Sequence, residues 1–225
     1  MPLEWICPIG LVASVGLAGL TYWLLGRVVG DRARVRRLAA MAPVEPSAIA
    51  DGAPVRVVGV VRAGPRTLRS PVHDRACVAW LVEGTQHKLE PRGWTALSAG
   101  EAWRAIGFFV DMPGGAVWVE AEGAHPHLAL GAPHEPGERA RNDAIRARLA
   151  EGQGSIRLPF TEGKGRSRLA WREGALREGD RVTVAGRARR EADPAAPGAT
   201  RLVLAGAIAR LEPGVSISDD PTLTA

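Results

Sequence analysis

The chain has 225 residues, with 29 basic and 24 acidic side chains, a formal charge of +5 and two cysteines. Two isolated cysteines exclude a Cys-rich zinc module, and Cys7 and Cys77 lie in segments too unlike to share a disulfide. Residues 27–37 hold Arg27, Arg32, Arg34, Arg36 and Arg37 against Asp31; the chain from Leu38 onward is left near +2, which argues against nucleic acid as a partner.

After a short N-terminal segment, 1–4, no side chain from Trp5 to Gly26 is charged (WICPIGLVASVGLAGLTYWLLG). A helix rises about 1.5 Å per residue, so roughly 20 apolar residues cross a hydrocarbon core of about 30 Å. The run 5–26 is therefore predicted to be a transmembrane helix. A cleaved signal would carry its cations before the apolar run, whereas here Glu4 precedes it and the arginines follow. The positive-inside bias then sets the N-terminus outside and the bulk of the chain in the cytoplasm. Trp5 at one end and Tyr22 with Trp23 at the other suit the two interfaces. The five arginines form a membrane flank expected to meet anionic lipid.

Residues 27–53 are predicted as a basic juxtamembrane helix followed by a Pro-containing linker. From there the pattern is β. Strands are predicted at 54–62 (PVRVVGVVR), 76–83 (ACVAWLVE), 181–189 (RVTVAGRAR) and 201–209 (RLVLAGAIA). A hairpin is predicted over 105–112 and 116–122, turning at Pro113-Gly114-Gly115. Residues 69–74 (RSPVHD) predict a turn. One helix is predicted at 138–151 (ERARNDAIRARLAE), with Ala144, Ile145 and Leu149 on one face, lying over the sheet edge. Five or six strands with one intervening helix predict a mainly β domain over 54–220, a partly open barrel of the OB type, with a tail at 221–225.

Order and spacing across nearly all of 54–220 resemble the GIDE, or beside-a-membrane (BAM), domain of membrane-anchored RING-type ubiquitin E3 ligases. The first strand with Gly59, then Leu68, Ser70-Pro71 and Cys77-Val78 leading to Trp80 carry the first part of the likeness. The hairpin FFVDMPGGAVWVE, with Asp111 and Gly115, is similar to the family's F-x-h-x-D-x-x-G-x-h-x-V element. Trp171-Arg172-Glu173, Leu176, Gly179-Asp180, Val182, Val184 and Gly186 are similar to its aromatic-Arg-Glu, Gly-Asp, h-x-V-x-G run. These residues read as structural. Gly179-Asp180 turns into a strand, Gly186 permits a bend or close packing, and Glu173 pairs with an arginine or caps backbone amides. The resemblance implies binding of a protein partner or substrate at a membrane surface. The family's ligases add a RING module with cysteine and histidine zinc ligands; this sequence contains no C-x-x-C, so no ligase activity is expected of it.

Other constellations are weak. His125, His127 and His134 (AHPHLALGAPH), with Glu122 or Glu135, have ligand-like spacing but lie in a Pro/Gly loop, which favours surface histidines over metal ligands. Cys77 reads as a buried small hydrophobe. Ser70 lacks a nucleophile elbow, and the glycines at 152–154 and 163–165 lack the Lys-Ser/Thr of a phosphate loop. The expectation is a non-enzymatic protein with no cofactor or metal, presenting a binding or scaffold domain through its loops. Thr85–Trp103, with Trp94 and Trp103 as contact residues, and Gly123–Pro136 are the candidate contact regions. A second reading is the substrate-binding component of an E3-type membrane system whose catalytic domain lies on another chain. A weaker third is a metal-dependent enzyme using the histidine loop.

Overall fold

The computed structural model describes residues 36, 38–91, 93–136, 139–156, 167–194, 196, 199–206 and 215–224. The predicted membrane run 5–26, the segment before it and Arg27, Arg32, Arg34 and Arg37 lie outside the described residues; Arg36 is described, exposed and helical. Among the described residues no helix is long and apolar enough to cross a membrane. The chain divides into two compact units, Met1–Ala42 and Pro43–Ala225, and the β-structure belongs to the second.

In chain order the strands are β1 (Pro54–Ala63), β2 (Leu68–Arg69), β3 (Ala76–Cys77), β4 (Ala79–Glu90), β5 (Gly93–Ala105), β6 (Phe108–Met112), β7 (Gly115–Val119) and β8 (Pro126–His127). Helix α1 (Arg139–Leu149) follows, then β9 (Gln153–Ile156), β10 (Ser167–Leu176), β11 (Arg181–Ala192), β12 (Thr200–Ala205), β13 (Ser216–Ser218) and a final turn of helix, α2 (Pro221–Thr224). The protein is mainly β. It is built on a closed five-stranded barrel of order β1-β6-β7-β12-β11, with β11 returning to β1. All pairs in the barrel are antiparallel except β7 with β12.

Alternation builds the barrel. Val55, Val57 and Val61 of β1 point inward, with Phe108 and Val110 of β6, Val117 and Val119 of β7, Val182 and Val184 of β11, and Leu202 and Leu204 of β12. Burying such a side chain stabilises by roughly 1.5–3 kcal/mol, and β-branched residues suit the pleat. The first strand serves two neighbours, pairing with β11 over Pro54–Val60 and with β6 over Val60–Ala63. Gly59 stands at that change of partner. A Cβ there would collide with the Asp111 carbonyl oxygen and stand 2.7 Å from Val110 Cγ1. The β6–β7 hairpin turns at Pro113-Gly114, Gly114 taking φ 87°, and Gly115 is already paired with Met112.

Between β1 and β6 the chain leaves the barrel and builds most of a second sheet, of order β10-β4-β5-β9. Where β4 and β5 meet the barrel, Ala79, Leu81 and Ala105 join the barrel core. The opposite face carries Trp80, Val82, Ala102 and Trp171, closed over by Ile145 and Leu149 of α1. The helix therefore packs on a face of this sheet and not over an edge, because two fully buried indoles need a lid. Its inward residues are Asn142, Ile145 and Leu149, while Ala144 is exposed. The stretch expected as loop, Thr85–Trp103, is instead the outer part of the long β4–β5 hairpin. The count of five or six strands is likewise too low, since β2, β5, β8, β9, β10 and β13 add to those predicted, and the barrel expected to be partly open is closed by the pairing of β11 with β1.

Candidate functional site

A row of side chains crosses four adjacent strands on the outside of the barrel. The Arg62 guanidinium of β1 lies 4.3 Å from the Phe109 ring centroid on β6, and Phe109 meets Trp118 of β7 edge-on at 4.8 Å. On the far side the Arg201 guanidinium of β12 lies 5.1 Å from the Trp118 ring. Register places the row: Arg62 pairs with Phe109 and Phe109 with Trp118. Both cations are compensated, Arg62 Nε donating to Asp111 at 2.9 and 3.1 Å and Arg201 Nε to Glu191 at 2.9 Å. Val60, opposite Asp111 and two residues from Arg62, is 44% exposed. Nothing in the strand pattern marked this row, because its members lie on four separate strands.

The second surface is the end of the β4–β5 hairpin, which closes at the pair Glu90–Gly93. Trp94 stands there 47% exposed, opposite Leu89, with the Arg168 guanidinium 4.9 Å over its ring. Trp103, at the barrel end of the same strand, is half-buried against the barrel core, and its Nε1 is shielded from solvent without a hydrogen-bond partner among the described residues. The two tryptophans expected to act together are thus separated by most of a strand.

The histidines do not form one group. The His125 ring lies tilted against Trp103 at 4.3 Å and against His127 at 5.2 Å between centroids, with its Nε2 3.7 Å from Glu101 Oε1. His134 instead meets His73 at 5.6 Å, and its backbone pairs with that of Trp171. Burial lowers the His134 pKa, helped by Arg141 and His73 and opposed by Glu173. Among the described residues no group of three or more His, Cys, Asp or Glu is placed to hold a metal ion.

The remaining motif residues have local tasks. Ser70 is fully buried; its Oγ accepts from the Arg75 amide at 3.1 Å and its carbonyl from the Asp74 amide at 3.1 Å, closing the turn that begins at Pro71. Trp171 is fully buried and donates its indole N–H to Asn142 at 3.0 Å. Arg172 donates to the Gly131 carbonyl at 3.3 Å, and Glu173 caps the Val72 amide at 2.7 Å. Gly179 takes φ 87° in the turn before β11, where Asp180 accepts from the Arg177 amide at 2.8 Å. Gly186 faces Val215, whose Cγ1 would stand 2.8 Å from an added Cβ. Burial, and then the charge of Glu173, push the Cys77 thiol up to about 12, so it stays protonated and unreactive.

A cleft of about 390 Å³ beside Trp80 is walled by Arg69, Arg104 and Arg148, with Asp74 and Glu151. Its charges are largely spent internally, Arg104 on Glu151 at 2.8 Å and Arg148 on Asp74 at 3.3 Å. The chain matches no family model, no curated protein and no solved structure.

Proposed function

We propose that the chain is a single-pass membrane protein that holds a non-catalytic, OB-like domain of the GIDE type at a bilayer surface, where it binds a protein partner. The apolar run 5–26 with its arginine flank supports the anchor. The strand order β1-β6-β7-β12-β11, with its single parallel pair, supports the OB-like reading.

The observation that carries the binding role is the Arg62–Phe109–Trp118–Arg201 row. Its two aromatic members, Phe109 and Trp118, lie on the second and third strands of the barrel, the face on which OB barrels take ligands. With Asp111 and Glu191 neutralising its cations, the row offers aromatic and guanidinium planes without a net positive field. Such a surface suits a polypeptide better than a polyphosphate, whose binding depends on neutralising charge.

Photo-cross-linking of the full chain in cell membranes tests this. A photoreactive phenylalanine at position 60 should yield a protein adduct of discrete mass, lost in Phe109→Ala and absent when the probe is at position 178. No adduct at position 60, or a nuclease-sensitive one, overturns the proposal.

A further inference from the structure

The charges around the barrel row cancel. Arg62, Arg189 and Arg201 are matched by Asp111, Glu120 and Glu191. A face that reads phosphorylated or acidic segments needs arginines without such partners, so charge complementarity favours an uncharged segment. Strand addition needs an open sheet edge, and β1, β6, β7 and β12 are each paired on both sides. An amphipathic helix needs a long apolar groove. The apolar surface here is Val60 and two half-buried rings, closed in by ion pairs.

What the row does offer is ring faces beside free N–H groups. The planes of Phe109 and Trp118 meet at 63°, so the two rings do not stack into one flat platform. Trp118 is seated on glycine backbone: a Cβ at Gly107 would run into its Cζ2, and one at Gly64 would stand 3.0 Å from its Cζ3. Arg62 spends only its Nε on Asp111, which leaves its two terminal nitrogens uncommitted among the described residues. Four adjacent strands at about 4.8 Å give the row a length of about 14 Å. A polyproline II segment rises about 3.1 Å per residue, so four or five of its residues match that length. Its carbonyls have no internal partners and accept from just such donors.

We propose that the row takes a proline-rich segment of the partner in polyproline II conformation, laid across the strands from Arg62 to Arg201. Its prolyl rings pack on Phe109 and Trp118, and the Arg62 terminal nitrogens donate to its carbonyls. The proposal rests on the reading of the row as the binding face. Such a segment is extended before it binds, so little order is lost and a small face suffices.

The test challenges the cross-linking of the full chain in cell membranes, with photoreactive phenylalanine at position 60, by L-decaproline. At millimolar concentration L-decaproline should reduce the adduct several-fold, while D-decaproline, of the same composition and opposite hand, should not. With the full chain in lipid nanodiscs, fluorescein-labelled L-decaproline should show saturable polarisation. Arg62→Lys keeps the charge but loses the planar fork, and should weaken that binding several-fold at unchanged melting temperature. An adduct that forms and persists undiminished under L-decaproline overturns the proposal and leaves the row as a binding face. Equal competition by both enantiomers, or undiminished binding by Arg62→Lys, also overturns it. Absence of any adduct at position 60 overturns the reading of the row and this proposal with it.

Discussion

Glu173 Oε2 accepts a hydrogen bond from the Val72 backbone amide at 2.7 Å, across 101 residues of sequence. Glu173 is 7% exposed, so the bond ties the turn after Ser70 to the second sheet where water does not compete. Leaving that amide unsatisfied costs about 1–3 kcal/mol, the loss expected for Glu173→Ala as a lower urea midpoint at unchanged slope. Glu173→Gln keeps an acceptor oxygen and should lose less.

Cys77 titrates far above its usual 9.0, near 12, because burial and then Glu173 disfavour the thiolate. A folded-state pKa raised in this way contributes stability that is fully present below about pH 9 and is lost as pH rises towards 12. Stability should fall over that window, and Cys77→Ala should flatten the fall. At pH 8 iodoacetamide should alkylate Cys77 only after denaturant is added.

The His134 pKa shifts the other way, lowered by burial, Arg141 and His73 against an opposing pull from Glu173. Its neutral form is favoured in the fold, so this contribution is present above the unfolded value of 6.5 and is lost as pH falls through the lower folded value. Mild acid should therefore destabilise the protein, and His134→Gln should reduce that dependence. Thermal melts between neutral and acid pH measure it.

The Leu223 carbonyl, in α2, accepts from Thr183 Oγ1 at 2.8 Å and from the buried Arg56 guanidinium, clasping β1 and β11 from outside the barrel. Thr183→Val should cost about 1 kcal/mol by removing one of these bonds. Deleting residues 221–225 should cost more, since it uncovers Arg56 as well, and urea unfolding of both variants gives the order.

Gly59→Ala should be strongly destabilising, because its Cβ would overlap the Asp111 carbonyl oxygen, which is backbone held in the β1–β6 ladder. Overpacking of this kind costs typically about 1–3 kcal/mol. Thermal denaturation reads the loss directly.

Where one face of a strand is buried and the other wet, the sequence alone was enough. The strands β1, β6, β7 and β11 announce themselves because Val57, Val110, Val117 and Val184 recur with the period of a pleated strand. The outer hairpin does not, since HKLEPRGWTALS carries no period of two. Strand β10 is hidden for the opposite reason: Ala170, Trp171, Glu173 and Gly174 are buried on both faces, so alternation is lost.

Among the candidate sites, the sequence marked Trp94 and Trp103 equally, and only folding exposed one and half-buried the other. It marked Glu173 as a pairing group, but Val72 became its partner through contact across 101 residues. The row from Arg62 to Arg201 exists only because register aligns four strands drawn from opposite ends of the domain's sequence. The composition of each segment was thus settled locally by periodicity and charge. Which side chains share a surface was settled by strand pairing, because pairing joins positions that no local pattern relates.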